Sequence, residues 1–359
     1  MARAHETSQQ QAQRGAAKIA VAQETLAAEV AALRSGEDWR RYLDFQAKLH
    51  AYSPRNVLLI AAQHARAFAC GSVPCAEPTY VAGFNTWRAL GRVVNKGQHG
   101  YAILAPCRYD RRVAVDAEGH ARPLAKTDTP DKAEHVEART VLAGFRVEHV
   151  FDVSQTTGVE LAEAPRPVLL EGEAPVGLGA AVAAMLEGRG FQVDTVADAA
   201  AIGGANGQTN WGSRTVVVRA DMDDGAMVKT LIHEAGHVLL HEGAPGRYLQ
   251  RATKEVEAES VAYVVGAAHG MSSDGYSFPY VAAWAGEDGA KAVVAAQGRV
   301  AAAAREIIAA SPAAHLSGGK APGAKAALGA ARCAKVGLEG RLSPTTPELA
   351  TPEPAEVGL

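Results

Sequence analysis

Cysteine is scarce in this chain. Cys70, Cys75, Cys107 and Cys333 are the only four in 359 residues. So few, so irregularly placed, cannot build a disulfide framework, and Cys70 and Cys75 lack the spacing of a CxxC metal or redox pair. Reduced thiols in a cytoplasm are the expectation. Long apolar runs are also missing. None reaches the ~18 residues of a membrane span, so none is expected to cross a bilayer. Residues 1–14 are polar and lack the apolar centre of a secretory signal. No internal repeat is visible. Charge of one sign is lacking too: the net charge is −3, which by itself selects no partner. Apolar residues make up 48% of the chain, enough for sizeable cores, and its length suits two domains.

Among what is present, the stretch Thr230-Leu231-Ile232-His233-Glu234-Ala235-Gly236-His237-Val238-Leu239-Leu240-His241 carries the most chemistry. His233 and His237 stand four residues apart, so a helix stacks them on one face. Two imidazoles so placed can grip one zinc ion. Glu234 beside them suits a general base that takes a proton from water and passes it to a leaving amine. Asp221, Asp223 and Asp224 offer capping and first-turn carboxylates, and Gly243 with Pro245 offers a stop. His241, at the helix end, is assigned to the last carbonyls.

A catalytic zinc needs a third protein ligand. The tenth residue after His233, where a metzincin would place a histidine, is Gly243. A second helix is expected at about 252–269, and it carries Glu255, Glu257 and Glu259. Glu255 and Glu259 share a face. One of them could bind the ion while the other orients a ligand histidine; Glu255 is chosen as the ligand, Glu259 as the orienter and Glu257 as the main rival ligand. Tyr248 and Tyr263 are the candidates for oxyanion stabilisation. The stretch from His233 to His241 with that from Glu255 to Ala262 resembles the ImmA/IrrE-type metallopeptidases, zincins with a downstream acidic helix. In that family the second motif closes on Asp or Asn, where this chain has Glu259.

From Trp39 to Arg108 the composition changes. Nine basic residues face only Asp44 and Glu77, an excess of seven positive charges in a chain that is negative overall. Nine of the chain's twenty aromatics fall in the same stretch. Cations attract phosphates and rings stack on unpaired bases, so this mixture suits single-stranded nucleic acid. An ordinary core beneath a solvated basic surface has the same composition.

The motifs in this stretch follow in a definite order. Tyr52 to Ile60 opens a helix, with Ser53 as N-cap and Pro54 at its first position. Val81 to Arg92 and Val93 to Pro106 follow, with a turn at 95–100 and a strand from Tyr101. A further strand at 145–153 runs into Phe151 to Gly158. Together these resemble the N-terminal domain of ArdC-type antirestriction proteins, which bind single-stranded DNA. The resemblance runs from Trp39 to Gly158 and resumes through the zincin motifs to Trp284, with Tyr276 to Tyr280 as a closing segment. It departs at Ala67 to Ala76, and at Arg108 to Glu137, which reads as a charged mobile loop. The expected phosphate contacts are Arg55, Asn56, Arg92 and Lys96, with Tyr52 or Trp87 stacking; Trp87 suits a core equally well.

The expected fold class is α+β. The expected division is a flexible N-terminus and helix (1–35), a single-stranded-DNA-binding domain (36–159), a linker (160–176), a zincin-like domain (177–310) and a disordered tail (311–359). Within the third part a β-branched strand at 215–218 precedes the metal helix, either as an edge that pairs with extended substrate or as a structural strand. The resemblance implies a DNA-binding antirestriction protein with a zinc metallopeptidase domain acting on a protein or peptide. Two alternatives stay open: a protector whose zinc domain is silent, and a regulatory protease that cleaves a repressor.

Overall fold

The computed structural model describes residues 8–116, 118–125, 128–131, 133–161, 172–243, 249, 251–272, 289–312, 319, 320 and 327. Among these residues the fold is a mixture of helices and three small sheets. Among the described residues no helix is long and apolar enough to cross a membrane.

Three helices open the chain: α1 (Ser8–Ala32), α2 (Gly36–Lys48) and α3 (Pro54–Ala69). Helix α1 begins earlier than the polar composition of 8–16 suggests, so those residues are not a disordered lead. Ser35 caps α2 through a reciprocal capping box with Asp38, and Ser53 caps α3 ahead of Pro54.

A four-stranded antiparallel sheet follows, in the order β1-β5-β3-β4, built from β1 (Val81–Gly83), β3 (Tyr101–Val115), β4 (Ala121–Pro123) and β5 (His135–Asp152). Between β1 and β3 lie the short helix α4 (Phe84–Ala89) and β2 (Arg92–Val94), which pairs with β6 (Thr156–Gly158). Helix α3 lies along β3 and satisfies its free edge with side-chain amides. Asn56 both donates to and accepts from the Leu104 backbone (3.1 and 2.9 Å), and Gln63 does the same at Ala102 (3.0 and 2.8 Å).

The charged stretch 108–137 is a loop only in part: 108–115, 121–123 and 135–137 are strands. Strands β3 and β5 stay paired from Tyr101↔Val150 to Val115↔His135, with one bulge at Cys107/Arg108. Most of the outer half of this ribbon is exposed on both faces. It therefore lacks the one-sided apolar alternation by which a strand is read from sequence.

In the C-terminal half, α5 (Leu178–Glu187) leads to a three-stranded sheet ordered β7-β9-β8: β7 (Gln192–Val196), β8 (Gly207–Asn210) and β9 (Thr215–Arg219). Strand β9 is central, parallel to β7 and antiparallel to β8. Both its edges are occupied, so the structural reading of 215–218 stands and the edge reading does not; β7 and β8 border the sheet. Among the described residues, the helices of this half that follow are α6 (Asp224–His241), α7 (Arg251–Ala268) and α8 (Gly289–Ala310).

One apolar core joins the two halves, running from Trp39, Tyr42 and Leu43 of α2 to Val261, Tyr263 and Val264 of α7. The fully buried Trp39 donates its indole N–H to Ser260 Oγ at 2.9 Å, and Tyr263 donates to Asp44. Helix α2 is thus part of the packing that holds α7 in place, although it is far from it in sequence. The expected linker and tail fall mostly, and the closing segment at Tyr276 to Trp284 wholly, outside the described residues.

Candidate metal centre

Helix α6 is set by its burial pattern. Val228, Leu231, Ile232, Ala235 and Val238 are buried on one side, and Asp223 caps the start by accepting from the Ala226 N–H at 2.7 Å. Helix α7 crosses it closely. A Cβ on Gly236 would lie 3.0 Å from Ala258 Cα, so glycine between the two ligand histidines lets the backbones approach. About one turn before that crossing α7 presents Glu255 to α6, and directly after it Glu259.

The result is a three-residue cluster of His233, His237 and Glu255. The two imidazole Nε2 atoms are 3.2 Å apart, and Glu255 Oε2 is 3.5 Å from each. Ligands held about 2.0–2.2 Å from one tetrahedral ion lie roughly 3.3–3.6 Å from each other. The donor separations therefore fit a single small divalent ion. Burial pulls the His233 imidazole downward, but the Glu255 and Glu259 carboxylates outweigh it and raise its pKa to about 9. The two imidazoles in turn hold the Glu255 carboxyl well below the usual carboxylate range. Such a cluster attracts a cation, be it a proton or a metal.

Each imidazole is gripped from behind. His233 Nδ1 lies 3.0 Å from Glu259 Oε2, and Glu259 is further held by Lys229 at 3.6 Å. His237 Nδ1 lies 3.0 Å from His241 Nδ1. His241 does not serve the helix carbonyls; it is buried and its Nε2 lies 3.2 Å from Glu257 Oε2. Glu257 is fully buried and takes the Arg299 guanidinium mainly on its other oxygen, so it does not face the metal cluster.

Glu234 is buried beside the cluster and accepts a 2.6 Å hydrogen bond from Thr209 Oγ1 of β8. The strand comes this close because Gly207 leaves space: a Cβ there would lie 3.0 Å from Glu234 Oε1. A cleft of about 710 Å³ opens over these groups, bordered by β8 and by Trp211, Arg251 and Lys254. Thr209 carries no local signal in the sequence. Of the two oxyanion candidates, Tyr263 is buried against Asp44, away from the cleft, and Tyr248 lies outside the described residues.

Residues 10–151 match the family model described as the N-terminal domain of anti-restriction factor ArdC. That match takes in α1, α2 and α3 and most of the four-stranded sheet. An uncharacterized protein of Bacillus anthracis is 26% identical over 273 residues, which cover 70% of this chain and 43% of the relative. The chain thus spans about two fifths of the length of that curated relative. Two crystal structures of the antirestriction ArdC protein from R388 plasmid align with 72% of this chain. The metal-free one is 17% identical with 85% of its chain covered, the Mn(II)-bound one 18% identical with 88% covered, each at a TM-score of 0.40.

Within the matched segment the expected DNA contacts separate into two kinds. Arg55 and Lys96 are exposed. Four others are committed to the fold. Asn56 is buried on the Leu104 backbone. Trp87 is fully buried and donates to the Phe151 carbonyl at 3.0 Å. Arg92 donates to Thr156 Oγ1 (2.8 Å), the Thr156 carbonyl (2.9 Å) and the Val159 carbonyl (2.6 Å), so it pins β2 to β6 instead of facing phosphate. Tyr52 donates to the Val81 carbonyl at 2.6 Å, and burial pushes its hydroxyl pKa up to about 12.

Exposed cations collect elsewhere, where α1 crosses the sheet. Two contiguous grooves of about 450 and 630 Å³ share Arg14 and Lys18 and add Arg66, Arg146 and the exposed ring of Phe145. No carboxylate lines either groove among the described residues. Glu29 and Glu148 pair with Arg66 and Arg146 from outside, at exposed positions where such pairs contribute little.

Proposed function

We propose that this chain is a DNA-binding antirestriction protein whose C-terminal half is a metal-dependent peptide hydrolase. The observation that carries the hydrolase half is the convergence of His233 Nε2, His237 Nε2 and Glu255 Oε2 beside the buried Glu234. His233, His237 and Glu255 would hold the ion, and two imidazoles with one carboxylate are the donor set of a catalytic zinc. When bound, such an ion supplies Lewis-acid charge that polarises a carbonyl and makes water more acidic.

The chain's own residues then have distinct tasks. Glu234, held by Thr209, accepts the proton of an attacking water and returns it to the leaving amine. Glu259 and His241 keep the two imidazoles turned toward the ion. Strand β8 offers its border to an extended peptide lying in the cleft. The DNA half is supported by the family match of residues 10–151 and by the cations along α1, with Phe145 as a ring on which a base could stack.

The test is metal analysis of the purified chain after dialysis against zinc or manganese, followed by hydrolysis of a mixed peptide library. Wild type should hold one ion and cleave. Glu234→Gln should hold the ion and not cleave, and His237→Ala should lose both. A wild-type chain with no stoichiometric ion overturns the metal reading. A loaded chain that cleaves no peptide, yet protects DNA in a restriction assay, assigns the function to the N-terminal half and leaves the centre silent.

A further inference from the structure

Glu257, His241 and Arg299 lie behind the metal cluster, and the proposed hydrolysis does not use them. Each comes from a different helix: His241 from the end of α6, Glu257 from α7 and Arg299 from α8. Glu257 is completely buried and the His241 side chain nearly so. An ionised pair is costly to take out of water, and its presence calls for a use.

The atoms define one direction of hydrogen bonding. Arg299 only donates: Nη2 and Nε both reach Glu257 Oε1, and Nε also lies a weaker 3.3 Å from Oε2. A carboxylate only accepts, so the His241 Nε2 that lies 3.2 Å from Glu257 Oε2 carries its proton there. In a neutral imidazole the other nitrogen is then an acceptor. That acceptor, His241 Nδ1, faces His237 Nδ1 at 3.0 Å. His237 must therefore donate from Nδ1, which leaves its Nε2 lone pair directed at His233 Nε2 and Glu255.

We infer that Arg299, Glu257 and His241 form a positioning chain for the metal centre, one that sets the tautomer of His237 and aims its Nε2 at the ion. The inference rests on the metal reading proposed above. It makes α8, which carries no ligand, a structural determinant of affinity. His233 has a simpler arrangement, a direct bond to Glu259. The two ligand histidines are thus oriented by independent means.

The experiment measures zinc affinity of the full chain by competition with a chromophoric chelator. Circular dichroism and thermal melting of the metal-free variants report on folding. In Glu257→Gln the amide oxygen stays with Arg299, so its NH₂ faces His241 and reverses that tautomer. Two donors then meet between His241 and His237, and zinc affinity should fall about 10- to 100-fold. Adding Arg299→Met frees the amide to turn its oxygen to His241, and most of the affinity should return.

Glu257→Gln affinity within twofold of wild type overturns the inference. So does a double variant as weak as the single one, which marks a merely structural role. Should Glu257→Gln fail to fold, His241→Gln (which keeps an acceptor for His237) is compared with His241→Met, which removes it. Tighter zinc in the former supports the chain, and equal affinity overturns it. A wild type that takes up no zinc removes the metal reading and this inference together, and is recognised by the wild-type arm alone.

Discussion

Thr209 and Glu234 meet across 2.6 Å, the hydroxyl of a border strand donating to the carboxylate of the metal helix. This contact sets where the carboxylate can accept a proton. A hydrogen bond to a charged group is worth about 1.5–3 kcal/mol, so its loss corresponds to roughly 10- to 100-fold in rate. Thr209→Val should lower kcat/KM of peptide hydrolysis by that factor with zinc content unchanged, while Thr209→Ser should retain most of it. Parallel loss of zinc in Thr209→Val would mean that the strand holds the cluster and not the base.

The contrast between Thr209 and His237 shows what a sequence can display. His233, Glu234 and His237 are neighbours by helical arithmetic, and Glu255 and Glu259 share a face for the same reason. Thr209 reaches Glu234 only because β8 pairs with β9 and packs on α6, which no local spacing announces. His241 finds its partner, Glu257, on another helix, so no spacing within α6 announces that contact. The basic, aromatic stretch shows the opposite failure. Composition located the charges, but Asn56, Trp87 and Arg92 find their partners 48 to 67 residues away and turn inward. The ribbon arms at 108–115 and 135–142 bury too little on either face to show a period of two, so their pairing is not legible in the sequence.

At Gly236 α6 and α7 approach closely, and this crossing places Glu255 beside the two imidazoles. Alanine there gains up to ~1 kcal/mol of helix propensity. Against this, its methyl would sit 3.0 Å from Ala258 Cα, which is backbone and cannot swing aside. Overpacking of this kind costs about 1–3 kcal/mol, so the clash prevails. Gly236→Ala should lower the melting temperature by a few degrees and weaken zinc binding about tenfold as the helices part. Unchanged affinity in a chelator titration would show that the cluster tolerates a wider crossing.

The cluster also sets a dependence on pH. In the metal-free chain His233 has its pKa raised from 6.5 to about 9. Its contribution to stability is fully present below 6.5 and is lost as pH rises through about 9. Glu255 is depressed from 4.5, so its contribution is present above 4.5 and is lost in acid. Metal-free protein should therefore melt at lower temperature at pH 9 than at pH 6. Zinc replaces the proton, so the increase in melting temperature on adding zinc should grow over the same range. An equal increase at both values, measured by differential scanning fluorimetry, would separate the ion from the His233 site.

The groove along α1 makes a quantitative claim about strand binding. A cation that meets a phosphate releases counterions, and on single strands each contact adds about 0.7 to the slope of log K against log salt. Lys18 and Arg66 are exposed in the groove, whereas Arg92 is spent on Thr156 and Val159. Lys18→Ala/Arg66→Ala should weaken binding of a labelled single strand and reduce the slope by about 1.4. Arg92→Ala should act differently, lowering thermal stability through the β2–β6 pairing with little change in slope. Strand binding that keeps its full slope in the double variant, while the slope falls in Arg92→Ala, would move the nucleic-acid surface from the α1 groove to the edge formed by β2 and β6.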